Sequence, residues 1–265
     1  MSDAIFMIHG MWAGDWYWDN YVKFFEDKGY RCVTKTLRYH DMDPQSLPDP
    51  RLGTTSILDY ADDLEKEIRK LGVQPIIMGH SMGGLITQIL ISRGLAKAAV
   101  LITPASPRGV FALKPSVIKT FFSIMIKPGF WKQPIRLSFE SFVYAIANLL
   151  SPDVQRMEYN KLVYESGQAA AEIGFWLLDP NQATKVDESN VTCPVLIIAG
   201  SEDRIVPASV VRNTAKKYKA VSTYKEYPDH AHSIILETGW EKIAEDIAAW
   251  LKKPINPDSA IVKYL

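Results

Sequence analysis

The chain has 265 residues, and its 30 Lys and Arg residues balance its 30 Asp and Glu residues. Hydrophobic residues make up 47% and charged residues 23% of the sequence, as is ordinary for a globular protein. This composition excludes bulk disorder, a collagen-like repeat and a disulfide scaffold, and the neutral net charge argues against nucleic acid as a partner. A chain of this length can bury roughly 70–75% of its unfolded surface, enough for one sizeable core.

Apolar runs that alternate with helical periods predict an α/β fold. The predicted strands are nearly continuous hydrophobic runs, which is typical of strands buried on both faces of a sheet. In chain order they cover residues 4–8, 31–37, 75–78, 97–102, 195–199 and 221–227. Helices are predicted over residues 16–28, 57–71, 82–93, 208–218 and 240–252. Such an alternation predicts a mostly parallel, doubly wound sheet with helices on both faces.

One segment interrupts this alternation. From residue 105 to about residue 180 no buried-strand pattern occurs, although aromatic, aliphatic and proline residues are plentiful. A structureless loop of that length is improbable in a compact domain, so we expect several helices here. The predicted organisation is therefore a core of residues 1–104 and 181–265 with an inserted helical cap, or lid, of residues 105–180.

The cysteines and the N-terminus favour a reducing, cytoplasmic location. Cys32 and Cys193 lie alone in apolar stretches and fit no metal-ligand spacing, so we expect two small buried hydrophobic side chains. No signal-peptide pattern opens the sequence. The longest stretch without Asp, Glu, Lys or Arg, residues 71–92, is interrupted by Pro75, His80 and several glycines. It therefore does not have the character of a transmembrane span.

The sharpest local pattern is Gly79-His80-Ser81-Met82-Gly83, which lies between a predicted strand and an apolar helix. At usual Gly and Ser frequencies a G-x-S-x-G pattern would occur by chance roughly 0.1 times in a chain of this length. Flanking glycines let a strand turn sharply into a helix, which holds the serine in a strained conformation with its hydroxyl in the site. The N-terminus of the following helix favours developing negative charge. The pattern predicts Ser81 as a nucleophile.

Together with three further positions, this motif resembles the α/β-hydrolase fold family, in its serine esterase- and lipase-like branch with a helical cap. His9-Gly10 ends the first predicted strand, Asp203 follows the fifth, and His232 follows the last. Nucleophile, acid and histidine therefore occur in the chain order that this fold uses. The segment HGMWAGDWYW further resembles the entry segment of the plant methyl-esterase and hydroxynitrile-lyase branch.

The resemblance implies a catalytic triad of Ser81, Asp203 and His232. A serine hydroxyl needs a base near neutral pH, and a histidine can take its proton and return it to the leaving group. The family pattern favours His232 in Ala231-His232 over His230. Asp203, at a strand end, is favoured as the residue that orients the imidazole, with Glu202 as its competitor.

Family position also implies the backbone donors of an oxyanion hole. These are the N–H groups of Met82, directly after the nucleophile, and Met11, directly after His9-Gly10, with Trp12 as a weaker alternative to Met11. Side-chain identity matters little for a backbone donor, so methionine is compatible with both positions.

Substrate contacts are predicted at Trp12, His80, Phe121 and Trp176. The inserted segment is rich in aromatic side chains, namely Phe111, Phe121, Phe122, Phe130, Trp131, Phe139, Phe142, Tyr144, Phe175 and Trp176. A cap of this composition suggests an apolar acyl or alcohol group, although packing of the cap on itself explains these residues equally well. Six basic and no acidic residues occur between Arg108 and Arg136, which fits a solvated lid surface or contact with an anionic substrate or lipid headgroups.

The predicted function is hydrolysis of a small-molecule carboxylic ester through an acyl-enzyme, without a metal or other cofactor. One fold hosts many reactions, so C–C bond hydrolysis, thioester or lactone cleavage and perhydrolysis remain open. A ligand receptor with little turnover is an alternative of a different class.

Overall fold

A computed structural model describes residues 3–218 and 221–252 of the chain. Its strands are β1 (Ala4–Ile8), β2 (Arg31–Thr34), β3 (Ile76–His80), β4 (Ala98–Ile102), β5 (Pro134–Ile135), β6 (Glu165–Ser166), β7 (Val195–Gly200) and β8 (Ser222–Tyr227). The central sheet has the order β2-β1-β3-β4-β7-β8, and its described pairings are all parallel. The expected α/β class with a doubly wound parallel sheet is confirmed.

Helices cover both faces of this sheet. They are α1 (Asp19–Asp27), α2 (Ile57–Lys70), α3 (Met82–Ser92), α4 (Pro115–Met125), α5 (Phe139–Ala145), α6 (Pro152–Lys161), α7 (Gly167–Gly174), α8 (Ala208–Lys217) and α9 (Trp240–Leu251). Buried residues of α2, α3 and α8 share one apolar cluster, and those of α1 and α9 share the other. The sheet therefore lies between two separate helical layers.

Side-chain alternation along β1 explains why its sequence is continuously apolar. Phe6 and Ile8 belong to the cluster with α2 and α3, whereas Ile5 and Met7 belong to the cluster with α1 and α9. Successive side chains of a strand point to opposite faces. Since both faces are covered, neither set can be polar.

Helix α2, which lies within the predicted helix of residues 57–71, begins with a capping box and buries one apolar stripe. The Ser56 hydroxyl accepts a hydrogen bond from the Leu58 N–H at 3.2 Å, and Asp59 accepts one from the Ser56 N–H at 2.9 Å. This reciprocal capping box satisfies backbone donors that have no partner within the helix. The buried side chains of the stripe are Ile57, Tyr60, Ala61, Leu64 and Ile68.

Three local expectations are wrong. Strand β2 ends at Thr34 rather than at Leu37, because the Leu37 N–H donates to the His9 ring at 3.0 Å and has left the sheet. Strand β3 continues to His80, so the sheet reaches the serine directly. Cys32 and Cys193 are only partly buried, whereas fully buried side chains were expected. Their partial burial still raises the pKa of Cys32 to about 12 and that of Cys193 to about 11.

Residues 105–180, hereafter the covering segment, contain α4 to α7 and the two-residue strands β5 and β6. The helices were expected, but the antiparallel β5–β6 ribbon was not. Strands of two residues are too short to produce an apolar run in the sequence. Within residues 3–218 and 221–252, no helix is long and apolar enough to cross a membrane.

Two buried carboxylates join the covering segment to the core. Glu165 on β6 accepts a hydrogen bond from the Tyr60 hydroxyl at 2.8 Å and pairs with His40 Nε2 at 3.0 Å. Glu172 on α7 accepts from the Ile57 N–H at 2.8 Å. Both carboxylates therefore contact residues of α2 or of the loop before it. These contacts anchor the end of the covering segment that contains β6 and α7.

Candidate active site

The candidate site lies where the strand order of the sheet reverses. β1 pairs with β2 on one side and with β3 on the other, and Ile8 is opposite Gly79. The connections from these strands therefore leave toward opposite faces, which opens a crevice at their carboxyl ends. Ser81 follows β3 directly at this edge.

Close backbone packing holds Ser81 in a conformation that few residues adopt. Its φ and ψ are 54° and −120°, and its N–H donates to the Ile102 carbonyl at 3.0 Å. A Cβ at Gly83 would lie 2.2 Å from the Ile8 carbonyl oxygen, and one at Gly79 would lie 2.3 Å from the Gly83 carbonyl oxygen. Only glycine fits either position, so the main chain itself turns the serine away from the strand.

His232 and Asp203 form a buried pair at the same edge. His232 Nδ1 lies 2.8 Å from Asp203 Oδ2. The other carboxylate oxygen accepts the N–H groups of Ile205 at 2.9 Å and Val206 at 2.7 Å. A carboxylate can only accept, so Nδ1 carries the proton and Nε2 is left as a proton acceptor.

His80 contacts the backbone and ring of His232. Its Nε2–H donates to the His232 carbonyl at 2.9 Å, and the two ring centroids are 4.8 Å apart. The Thr103 hydroxyl donates to the same carbonyl at 3.4 Å. Burial, reinforced by His232, lowers the pKa of His80 well below its ordinary value, so this ring is neutral. The predicted substrate residue His80 therefore lies against the candidate base.

The alternative base and acid have other partners. His230 Nδ1 lies 3.0 Å from Glu237 Oε2, and the same oxygen accepts the Ala231 N–H at 2.9 Å. Glu202 is exposed and its carboxylate accepts from the Ser201 hydroxyl at 3.1 Å. Of the two predicted acids, Asp203 therefore contacts a predicted base, His232, whereas His230 pairs with Glu237 instead.

Helix α3 and hydrogen bonds of His9 position the backbone around the candidate oxyanion donors. Met82 is the first residue of α3, where N–H groups have no acceptor within the helix. Met11 follows Gly10, whose carbonyl accepts from His9 Nδ1 at 2.8 Å. Burial, reinforced by His40, lowers the pKa of His9 to about 4, so this histidine is neutral. Its two ring nitrogens therefore bind the backbone on either side without adding charge to the site.

An apolar cavity adjoins Ser81. Its lining comprises Met11, Ser81, Met82, Ala105, Ser106, Ala112, Leu113, Val117, Ile118, Phe121, Ile124, Met125, Phe130, Ala170, Ile173, Gly174, Phe175, Ile205 and Val206. No side chain in this set carries a charge. Among the described residues, no group of His, Cys, Asp and Glu is arranged to hold a metal ion.

The predicted substrate residues divide between this cavity and the packing behind it. Phe121 lines the cavity, whereas Trp12 lies behind it with ring centroids 6.0 Å apart. The Trp12 indole N–H donates to the Ile135 carbonyl at 3.2 Å. Trp176 packs against Phe111 at 5.2 Å and is not part of the lining. Trp12 thus joins the core to the covering segment, whereas Trp176 packs within that segment.

Several lining residues were not singled out from the sequence. Ile205 and Val206 follow Asp203 within three residues, and Ser106 follows the end of β4. Their position after strands of a parallel sheet is a signal that could have identified them. Phe130 and Phe175 carry no such signal, because only the packing of the covering segment brings them to the cavity.

Comparisons with known proteins extend over most of the chain. The model of the alpha/beta hydrolase family matches residues 5–246. A monoacylglycerol lipase of Mycolicibacterium smegmatis is 25% identical over 181 residues, which cover 66% of this chain and 61% of the relative's length. This match therefore spans less than two thirds of that relative.

Solved structures show that the fold is shared over nearly the whole chain. A monoacylglycerol lipase of Paleococcus ferrophilus is 19% identical, with a TM-score of 0.67. The match covers 94% of this chain and 93% of the lipase chain. A pyrethroid hydrolase of Sphingobium faniae is 17% identical, with a TM-score of 0.71. That match covers 96% of this chain and 99% of the hydrolase chain. The parallel sheet, the serine turn after β3 and the match of the family model lead to one conclusion: this chain belongs to the alpha/beta hydrolase family.

Proposed function

We propose that this protein hydrolyses a carboxylic ester with an apolar acyl or alcohol group, through an acyl-enzyme formed on Ser81. The observation that carries the proposal is the arrangement at one edge of the sheet. Ser81, with its φ of 54°, adjoins an uncharged cavity, and His232 and Asp203 form a 2.8 Å pair at the same edge. A nucleophile, an oriented base and an apolar binding space are the parts that this reaction needs.

In the proposed acylation, the Ser81 hydroxyl attacks the ester carbonyl carbon while His232 Nε2 takes its proton. Asp203 holds the ring through Nδ1 and stabilises the imidazolium that forms. The negative charge then develops on the former carbonyl oxygen. The N–H groups of Met11 and Met82 are the proposed donors to that oxygen, and the N-terminus of α3 adds a favourable dipole.

The intermediate collapses when its C–O bond to the alcohol breaks, and His232 returns the proton to the departing alkoxide. Water then attacks the acyl-enzyme with His232 again as base. Collapse of the second intermediate releases the acid and restores the Ser81 hydroxyl. Apart from the ester and the water, every group in this scheme belongs to this chain.

The cavity supports an apolar substrate. Its lining comes from both the serine edge and the covering segment: Phe121 and Phe130 belong to the covering segment, and the Val206 N–H donates to Asp203. An ester that buries a hydrocarbon group here gains about 0.8 kcal/mol per methylene. We therefore assign residues 105–180 the role of a cap that selects the substrate by its apolar part.

Turnover of p-nitrophenyl esters of increasing acyl length tests the reaction. We expect Ser81→Ala to remove essentially all turnover, because no other group in the scheme can form the acyl-enzyme. A fluorophosphonate should add to Ser81 in the native chain, as mass spectrometry of the labelled peptide would show. Undiminished turnover in Ser81→Ala refutes the proposal, and no turnover on any ester favours a receptor or a specialised reaction.

A matched pair of histidine variants tests the base. His232→Ala should lower kcat by about 10³-fold or more, since removal of one triad member costs most of the triad's contribution. His230→Ala removes a ring that pairs with Glu237 and should retain most of the activity. An inactive His230→Ala beside an active His232→Ala would reverse the assignment.

A further inference from the structure

The cavity lining contains one hydroxyl that the proposed reaction does not use. Ser81 and Ser106 are the only polar side chains in that lining. Ser106 is 2% exposed, and its Oγ has no hydrogen-bond partner among the described residues. A buried hydroxyl without a partner is destabilising, and native structures rarely tolerate one. This atom therefore requires a reason for its presence in an otherwise apolar wall.

A buried polar chain fixes the backbone that carries Ser106. The Ala105 N–H donates to the Ser81 carbonyl at 2.9 Å, so residue 106 is tied to the serine turn. Gln88 Nε2 donates to the Ala105 carbonyl at 3.2 Å, and Gln88 Oε1 accepts from the Tyr218 hydroxyl at 2.9 Å. Gln88 and Tyr218 are both buried in the apolar core. Their contacts hold the neighbour of Ser106 at a fixed position beside the nucleophile.

A resident water does not account for this hydroxyl well. A buried water needs two to four polar partners. In the proposed complex, the Ser81 hydroxyl and the N–H groups of Met11 and Met82 meet the reacting carbonyl, so Ser106 is the one polar side chain of the lining that a water could keep as a partner. A ligand atom delivered with the rest of a bound molecule does not need further partners.

We propose that Ser106 forms a polar subsite that hydrogen-bonds a hydroxyl or carbonyl oxygen on the otherwise apolar part of the substrate. The inference rests on the proposed ester hydrolysis and narrows its substrate class. A charged substituent does not fit, because the lining contains no side chain of opposite charge. The favoured substrate is a neutral ester with an oxygen substituent close to the scissile bond.

Isosteric pairs of esters test this subsite on the acyl and on the alcohol side. On the acyl side, the 2-hydroxy and 3-hydroxy derivatives of p-nitrophenyl butyrate are compared with the corresponding 2-methyl and 3-methyl derivatives, in which a methyl group replaces the hydroxyl. On the alcohol side, propyl butyrate is compared with 2-hydroxyethyl butyrate by titration of the released acid. The native chain should prefer at least one oxygen-bearing ester about tenfold in kcat/KM over its hydrocarbon partner.

Substitution at residue 106 should remove that preference. In Ser106→Ala, kcat/KM for the preferred ester should fall about tenfold more than for its hydrocarbon partner. Ser106→Cys replaces the hydroxyl by a somewhat larger thiol that donates only weakly, so it should lose most of the same ratio. Ser123→Ala, an exposed serine on α4, provides the control and should leave the ratio unchanged.

The outcomes separate this inference from the proposed reaction. If Ser81→Ala keeps its turnover, the proposed function fails. If Ser81→Ala is inactive but the native chain has no preference in any pair, only the subsite is refuted. A Ser106→Ala chain that loses activity equally on both members of a pair, with a lowered unfolding midpoint, would assign Ser106 a packing role and also overturn the inference.

Discussion

The serine edge of the sheet and the covering segment position their residues by different means. At the edge, backbone contacts decide the geometry, as at Gly83, where any Cβ would meet the Ile8 carbonyl oxygen at 2.2 Å. In the covering segment, the direction of each side chain decides which residues reach the cavity. On α4, Phe121 lines the cavity, whereas the neighbouring Phe122 is 57% exposed. Changes at the edge should therefore abolish function, whereas changes in the covering segment should tune it.

The covering segment is itself uneven in its attachment. At β6 and α7, Glu165 and Glu172 are buried and hydrogen-bonded to the core. Around α4, large apolar side chains such as Ile118 and Ile126 are exposed. Stability should therefore depend on the anchored end, and substrate range on α4.

The largest expected effect is at the serine turn. Gly83→Ala places a methyl group against the backbone of β1, which cannot move without disturbing the sheet. We expect destabilisation of about 3 kcal/mol or more together with complete loss of ester turnover. Urea unfolding and a p-nitrophenyl ester assay measure the two effects.

Gly174→Ala is the matched control for stability, because a Cβ there meets no atom within 4 Å. Its free energy of unfolding should change by less than about 1 kcal/mol. If Gly83→Ala unfolds at the same urea concentration as the native chain, backbone packing does not decide the geometry of the edge.

The next effect is expected at the anchored end of the covering segment. Glu165→Gln leaves His40 buried without its charged partner, and loss of one member of a buried pair costs about 3–5 kcal/mol. Glu140→Gln changes an exposed carboxylate on α5 and should leave the urea midpoint unchanged. Equal midpoints for both variants would contradict the view that Glu165 anchors the segment.

The same pair should make stability depend on pH. Burial lowers the pKa of His40, but the charge and hydrogen bond of Glu165 outweigh it and raise the pKa above its ordinary 6.5. Burial raises the pKa of Glu165, but His40, the Ser166 N–H and the Tyr60 hydroxyl outweigh it and lower the pKa below its ordinary 4.5. Both members are therefore held in their charged forms.

The stabilisation from His40 is complete below pH 6.5 and is lost as the pH rises through the raised pKa of the folded state. That from Glu165 is complete above pH 4.5 and is lost as the pH falls through its lowered pKa. The difference in unfolding free energy between the native chain and Glu165→Gln should thus be largest between pH 4.5 and 6.5. Urea unfolding of both chains, measured across this pH range and to either side of it, tests this dependence. A difference in unfolding free energy that does not change with pH would count against a charged pair.

The smallest expected effect distinguishes the two sides of α4. Phe121→Ala removes an aromatic wall of the cavity, so kcat/KM for a long-chain p-nitrophenyl ester should fall about tenfold. Phe122→Ala alters the neighbouring, exposed ring and should change that constant less than about twofold. A larger loss in Phe122→Ala than in Phe121→Ala would mean that the substrate approaches α4 from its outer side.

Much of the fold could be predicted because its signals are local. Continuous apolar runs, a capping box at Ser56 and the glycines around Ser81 each specify structure within a few residues. The end of β2 could not be predicted, since it depends on the contact of Leu37 with His9 far along the chain. Of the predicted site residues, Phe121 lies in the cavity wall, whereas Trp12 and Trp176 pack elsewhere, because aromatic composition does not specify which way a side chain points.

The sequence by itself determined the parallel sheet, the family resemblance and the positions of Ser81, Asp203 and His232 after strands. Parallel strands bring their carboxyl ends to one edge, so their order along the chain is enough to gather these residues. Only the tertiary structure decided that His40 meets Glu165, 125 residues away, and that the Ser106 hydroxyl is buried in the cavity with no partner in the part of the chain that the structure describes. Such contacts depend on how helices pack over the sheet, and this packing has no periodicity that a sequence could display.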